Sequence, residues 1–349
     1  MKIISQIEAT KIKQIGQGQG LNSSVFLCHD PQVDGEIVIK EIPLNKFKDP
    51  DEYFEEAKTL YKNKNPKVVP VMYACKDSDN IRIAMPYYRN GTLEDMLNNT
   101  YLTIRKIVNI AEQFLHGLHH IHSNDYIHYD LKPTNILFAD DMTPLVSDFG
   151  QSRRTNNFGV GEIPPMYPSH IVPEFLTGTH STKQSDIFQI GLTLYRMCNG
   201  NEHFKDQFQF SSQQRWFEAV KNGKFPSRGS YLAHIPLKMR RIVKTCLNVD
   251  PSKRYQTCIE LLNELVTVSD LLDWRYNPSN SGPSWIKEGE THDEIIEITK
   301  TDNGAWDVRG YKRRLSDGLT RNNSIQCHKG FSTLKKAEHF VYKLFRGME

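Results

Sequence analysis

His128-Tyr129-Asp130-Leu131-Lys132-Pro133-Thr134-Asn135, followed by Asp148-Phe149-Gly150, is the stretch on which the reading of this chain turns. It sets two carboxylates, an ammonium group and a carboxamide on two short segments, with two strand-like runs, 136–138 and 145–147, between them. Phosphoryl transfer from a nucleotide needs such a set. A base takes the hydroxyl proton, a cation offsets charge on the transferred group, and oxygen ligands hold Mg²⁺. A polar loop whose Asp and Asn only make turns does not require both segments at this spacing.

Outward from this stretch, the residues upstream alternate short β-type runs with turn formers. Strands are expected over 11–15, 24–29 and 36–42, a helix over 49–62, and further strands over 68–74 and 81–88. From Thr92 the period lengthens to that of a helix, and Ile104, Val108, Ala111, Leu115, Leu118 and Ile121 form one apolar stripe. Further helical patterns cover about 183–199, 212–222, 237–247 and 257–273. A strand-rich part followed by a helix-rich part predicts two lobes with a cleft between them.

The remaining composition excludes whole classes. The 349 residues are 38% apolar and 24% charged, enough to bury a core, and the net charge of +3 argues against wholesale binding to nucleic acid or membrane. No run approaches the roughly 18 apolar residues of a membrane span, and the N-terminus lacks a signal peptide's hydrophobic block. The six cysteines lie far apart with no C-x-x-C pair, as expected of reduced thiols in a cytoplasmic protein. His116, His119, His120, His122 and His128 cluster, but nothing nearby completes a closed metal shell, so no zinc site is expected.

The central stretch resembles the catalytic and metal-binding loops of the Hanks-type (eukaryotic-like) serine/threonine protein kinases, with signatures H-R-D-L-x-x-x-N and D-F-G. Other landmarks of that family occur in order over residues 8–272. Gly18-Gln19-Gly20-Leu21-Asn22-Ser23-Ser24-Val25 is similar to the phosphate-covering loop, with Ser23 in place of the third glycine. Gly16 permits another register. Val38-Ile39-Lys40 resembles the strand whose lysine meets the α/β-phosphates. Glu56 is the expected helical partner of Lys40, with Glu55 as the alternative. The stretch 83–91 resembles the strand entering the hinge, which makes Met85 the gatekeeper and brings the backbone of Pro86 and Tyr88 to the adenine. Pro86 can act there only through its carbonyl. Val172-Pro173-Glu174, Arg254 and Asp186 match structural landmarks of the family.

Two departures stand out. Tyr129 occupies the place of the arginine that, in loop-regulated members, reads a phosphorylated activation segment, so activity is expected without that switch even though Ser152, Thr155, Tyr167 and Ser169 are candidate phosphosites. Met166-Tyr167-Pro168-Ser169-His170-Ile171 stands where the acceptor segment is cradled, with Tyr167 in place of the usual Thr; Lys132 nevertheless favours Ser/Thr acceptors.

The resemblance implies an α+β, bilobal kinase fold, with the kinase domain over 1–275 (N-lobe about 1–88, C-lobe about 89–275). It also implies ATP as donor, Mg²⁺ (or Mn²⁺) as the metal and a protein substrate. Asp130 and Lys132 are the implied catalytic residues, Asn135 and Asp148 the metal ligands, and Gly18, Gly20, Ser23, Val25, Lys40, Glu56, Met85, Pro86 and Tyr88 the nucleotide contacts. A pseudokinase scaffold would need a broken set, whereas every named position carries the right chemical type. A small-molecule phosphotransferase is disfavoured by the Pro173-Glu174 landmark.

Beyond this region the cluster 277–283, rich in Asn, Pro, Ser and Gly, reads as a linker over 276–283 that lets the rest move independently. Residues 284–349 are expected to form a small basic α+β appendage, strand-like over 294–299 and 306–311 and helical over 334–345. Its last 45 residues hold ten Lys and Arg against four acids, with Lys312-Arg313-Arg314 near Trp306 and Tyr311. The plainest reading is a small module cored by Trp306, Phe340, Val341 and Leu344 with its charges merely solvated; if the appendage binds a ligand, a protein partner is expected before nucleic acid.

Overall fold

Small turn residues between β-branched runs give the N-terminal part its strands: β1 (Thr10–Ile15), β2 (Ser24–Asp30) and β3 (Gly35–Pro43), each within about one residue of its expected bounds. The computed structural model describes residues 8–16, 23–47, 54–164, 170–178 and 180–349, so Gly18, Gly20 and 166–169 lie outside the described residues. After β3 come α1 (Glu55–Lys62), β4 (Tyr73–Lys76) and β5 (Asn80–Pro86). The five strands form one antiparallel sheet in the order β1-β2-β3-β5-β4. The strand expected over 68–74 is displaced to β4. Pro70 has no N–H to give to a ladder, and Val68 and Val69 are buried instead against Val146, with Val69 N donating to its carbonyl at 2.9 Å.

Two helices follow, α2 (Leu93–Asn99) and α3 (Ile104–Ser123), and the apolar stripe of α3 is buried from Ile104 to Ile121 apart from a half-buried Val108. Short paired strands come next: β6 (Tyr126–Ile127) with β9 (Arg153–Arg154), β7 (Ile136–Phe138) with β8 (Pro144–Val146), and β10 (Gly161–Glu162) with β11 (His180–Ser181). The helical part continues through α4 (Gln184–Asn199), α5 (Asn201–Lys205), α6 (Gln213–Lys221), α7 (Leu237–Cys246) and α8 (Cys258–Leu265). The last was expected to run to 273. It stops early where β-branched Val266, Thr267 and Val268 succeed one another, residues that crowd a helical turn.

The chain then returns to strands: β12 (Trp274–Asn277), β13 (Ser284–Lys287), β14 (His292–Lys300), β15 (Trp306–Arg314), β16 (Thr320–Asn322) and β17 (His328–Phe331), closed by α9 (Leu334–Arg346). All six strands join one antiparallel sheet, with β16 and β17 both pairing β15. Tyr276 and Asn277 pair with Trp285 and Ser284, so the stretch expected as a linker is the end of β12 and a hairpin connection inside this sheet. Turn formers mark a reversal of the chain equally well whether it is tight or loose.

The chain divides into two compact units, Met1–Leu93 with Gln113–Ile171 and Gly178–Asp186, and Glu94–Glu112 with Val172–Thr177 and Ile187–Glu349. Within the second, the C-terminal sheet does not core itself alone. Val341 and Phe345 of α9 pack with Trp285, Ile296, Ile298 and Val308, and the same cluster takes in Ala233, just before α7, and Trp274. Arg346 Nη2 donates to the carbonyls of Ala233 (3.1 Å) and Ile235 (3.0 Å), and the Glu349 carboxylate accepts from the first amide of α7, Leu237 N, at 3.2 Å. That carboxylate meets an otherwise unsatisfied donor at a helix start.

The basic run is largely matched inside the sheet. Arg313 meets Asp293 at 2.6 Å, Lys312 meets Glu294 at 3.4 Å and Arg309 meets Glu297 at 3.9 Å, across the β14–β15 pair. Residues 284–304 supply six acids and only two basic residues, so the cations of β15 lie beside their counter-charges.

Candidate active site

Lys40 is fixed by its strand. It lies in the middle of β3, paired to Val25 on β2 and Ile83 on β5, and its side chain is 9% exposed. An ammonium in that position needs counter-charges, and it has two: Glu56 Oε1 of α1 and Asp148 Oδ1, each at 2.7 Å. Of the two acids weighed for α1, Glu56 is thus the one that reaches Lys40, while Glu55 pairs with Lys58. Burial alone would lower the Lys40 pKa, but Asp148 and then Glu56 outweigh it and raise it. For Asp148 burial pushes upward, yet the Lys40 charge dominates and holds the carboxyl well below its ordinary range. Burial raises Glu56 despite Lys40. Asp148 is therefore the firmly ionised acid of the pair, and it keeps 37% of its side-chain surface open.

Gly150 accounts for the closeness of this triad. A Cβ there would lie 3.1 Å from Lys40 Nζ, 3.3 Å from Asp148 Oδ1 and 3.4 Å from Glu56 Oε2. A larger residue would press on all three. Asp148 itself sits at φ +60, a left-handed conformation that costs an aspartate less than most residues.

The loop 128–135 is organised around Asp130. Its Oδ2 accepts from Lys132 Nζ at 2.7 Å and from Asn135 Nδ2 at 3.0 Å, and Nδ2 also donates to the Asp130 carbonyl at 2.8 Å. Oδ1 accepts no hydrogen bond among the described residues. Burial raises the Asp130 pKa above the usual aspartate value, with Lys132 opposing it. Beneath the loop, Asp130 N donates to His128 Nδ1 at 3.3 Å, so the proton of this imidazole is placed on Nε2, which faces the Ser147 carbonyl at 3.0 Å. Asp186, fully buried, accepts from His128 N and Tyr129 N at 2.8 Å each and contacts His122 Nε2 at 2.8 Å. The loop backbone thus hangs from one carboxylate.

Other expected positions are placed less tightly. Ser23 precedes β2 and Val25 lies in it; Met85 and Pro86 close β5, paired to Val38 and Ile37, and Tyr88 follows in the turn whose carbonyl accepts from Gly91 N at 3.2 Å. Gly18 and Gly20 fall outside the described residues. Ser152 and Thr155, expected as phosphosites, are 8% and 9% exposed, with hydroxyls hydrogen-bonded to the carbonyls of His128 and Asp125. Glu174 and Arg254 form a two-armed ion pair, both arms 2.8 Å, with the Arg254 side chain fully buried. The sequence did not single out Gly161 or Ser181, which pair across β10 and β11 beside Tyr129, because neither stands in a motif.

The protein kinase domain model matches residues 9–266. The chain is 26% identical over 289 residues to the serine/threonine-protein kinase PrkC of Bacillus subtilis, covering 81% of this chain and 43% of that protein. It is 24% identical to the serine/threonine-protein kinase PknD of Protochlamydia amoebophila (90% and 36%) and 28% identical to the serine/threonine-protein kinase pakG of Dictyostelium discoideum (73% and 21%). The chain spans less than half the length of each of these relatives. Residues 267–349 lie beyond the family match.

Proposed function

The chain belongs to the protein kinase domain family, and from that membership we propose that it transfers the γ-phosphoryl group of ATP to Ser and Thr hydroxyls of a protein substrate. The observation that carries the reading is the asymmetry of Asp130. One carboxylate oxygen is held by Lys132 and Asn135, while Oδ1 accepts nothing among the described residues. Oδ1 is the atom assigned to take the acceptor's proton. As it does so, the hydroxyl oxygen bonds to the γ-phosphorus and the bond to the β–γ bridging oxygen breaks, releasing ADP. The raised pKa of Asp130 suits a proton acceptor.

The other residues position and neutralise. Lys40, fixed between Glu56 and Asp148, is assigned to the α/β-phosphates, and Lys132 to charge on the γ-phosphate. Ser23, Val25, Met85, Pro86 and Tyr88 are assigned to the nucleotide's surroundings, together with Gly18 and Gly20.

Asn135 and Asp148 fit a hard divalent cation. Both offer oxygen; Asp148 is firmly ionised, and Asn135 commits its Nδ2 to Asp130, which turns Oδ1 to the acceptor role. No group of three His, Cys, Asp or Glu side chains placed to hold a metal ion occurs among the described residues, so phosphate oxygens and water would complete the shell. Bound there, Mg²⁺ or Mn²⁺ would offset phosphate charge.

The chemistry is assigned to residues 1–275. For residues 284–349 we propose contact with a protein rather than nucleic acid. Arg309, Lys312 and Arg313 of β15 are matched by acids of β14 and Arg314 by Asp317, while Leu315, Leu319 and Ile325 around β16 are 52%, 62% and 80% exposed. No helix among the described residues is long and apolar enough to cross a membrane, and a cytoplasmic setting is part of the same proposal. The test of the activity is incubation with γ-labelled ATP, Mg²⁺ and a generic protein acceptor, wild type beside Asp130→Ala. Labelled phosphoserine or phosphothreonine from wild type alone supports the reading. No labelled protein from either overturns it.

A further inference from the structure

Tyr129 is an unusual residue where it stands. It is fully buried and held at φ +68, a conformation that a bulky side chain seldom adopts. Both ends of the residue are tied. Its N–H donates to Asp186 at 2.8 Å, and its hydroxyl accepts from Ser181 Oγ at 2.9 Å. Ser181 lies on β11, directly across from Gly161 on β10. Gly161 packs against the same hydroxyl so closely that a Cβ would fall 2.5 Å from it. The ring of the residue next to Asp130 therefore reaches under a two-stranded ladder whose strands bracket the segment 163–179.

We propose that Tyr129 is a positioning residue whose hydroxyl, with Ser181 and Gly161, latches β10 and β11, the strands that flank the stretch read from the sequence as acceptor-binding, to the catalytic loop through an uncharged contact that needs no phosphate. This rests on the kinase reading above. An arginine at 129 would carry a charge needing an anion; a phenol beside an alcohol needs none. Burial pushes the Tyr129 pKa up to about 12, so the contact stays neutral across the physiological range. Upstream of β10, Thr155 N and Oγ1 donate to the Asp125 carbonyl at 2.7 and 3.2 Å, and just after β11 Lys183 meets the Asp125 carboxylate at 3.3 Å.

The latch bears on the acceptor and not on ATP, and that separates it from a merely structural role. Tyr129→Phe removes one neutral hydrogen bond, an effect of about fivefold in an equilibrium. The expected result is an acceptor KM raised about fivefold, with kcat and the KM for ATP within twofold of wild type. Ser181→Ala should match it and the double variant should add nothing, since both remove one contact. Ser181→Thr, which keeps the hydroxyl, should restore the wild-type acceptor KM. Wild type stripped of phosphate by a phosphatase should keep its activity. Hydrogen exchange at the β10 and β11 amides is read in parallel and should quicken about fivefold in Tyr129→Phe. An unchanged acceptor KM together with unchanged exchange overturns the proposal, as does activity that vanishes on dephosphorylation and returns on phosphorylation. If wild type phosphorylates no protein, the kinase reading has failed, and the exchange rates still decide the latch.

Discussion

The catalytic loop and the C-terminal sheet are both dense in charge, and they dispose of it in opposite ways. Around Lys40, Asp130 and Asp148 the charges are buried or half-buried and unequally shared, and one carboxylate oxygen of Asp130 and the open face of Asp148 are the atoms proposed to meet substrate. Along β14 and β15 each cation named above sits beside an acid on the neighbouring strand; the Arg309 and Lys312 pairs lie at the surface, while Arg313 covers a buried Asp293. Buried, unevenly satisfied charge does chemistry, and exposed, evenly paired charge is a solvated face whose pairs are each worth under about 1 kcal/mol.

Changes in the first region should therefore act on rate and changes in the second on stability, if at all. Asp148→Asn keeps the shape and removes the charge that Lys40 and a cation would share. Activity is expected to fall by about 10³ or more, with the melting temperature near that of wild type. Wild-type turnover in this variant would break the contrast. Phe345→Ala acts the other way. It empties a fully buried site among Trp274, Trp285 and Ala233, at a cost of about 3–5 kcal/mol in denaturant unfolding. A loss below 1 kcal/mol would mean that α9 contributes little.

A pH effect comes next in size. His234 is fully buried, neither ring nitrogen has a hydrogen-bond partner among the described residues, and burial, then Arg240 and Arg346, lower its pKa to about 3. Above pH 6.5 the ring is neutral in both folded and unfolded states. As the pH falls from 6.5 towards 3 only the unfolded state takes up the proton, so stability drops by up to about 1.4 kcal/mol per pH unit. His234→Leu should flatten this slope in melting curves between pH 7 and 5; an unaltered slope would remove His234 from the account. Smallest of all, joint replacement of Lys312 and Arg309 by Gln, whose acid partners Glu294 and Glu297 are part-exposed, should shift stability by about 1 kcal/mol or less and leave turnover unchanged. A large loss of either would show that the pairing on β14 and β15 is more than surface charge.

The grouping of the proposed catalytic residues was legible in the sequence because its contacts follow from short-range patterns and a recognised motif order. Asp130, Lys132 and Asn135 fall within six positions, and the strand and helix around Lys40 and Glu56 follow from short-range patterns. The C-terminal sheet was not. Counting charge over 305–349 missed the acids of β14 because cross-strand partners such as Asp293 and Arg313 are twenty positions apart. The hairpin at 278–283 looks in sequence like a linker, and nothing local reveals that Phe345 packs beside Ala233. Tyr129 was visible as a departure, but its partner Ser181 is fifty-two positions away.

The central claim is that Asp130 drives transfer and not nucleotide binding. The measurement that meets it most directly is a single-turnover rapid-quench assay of γ-label transfer to a protein acceptor, with ATP affinity determined on the same samples, for wild type and Asp130→Asn. The expected result is ATP affinity within about threefold of wild type and a transfer rate lower by about 10³. Transfer at the wild-type rate in Asp130→Asn would contradict the account.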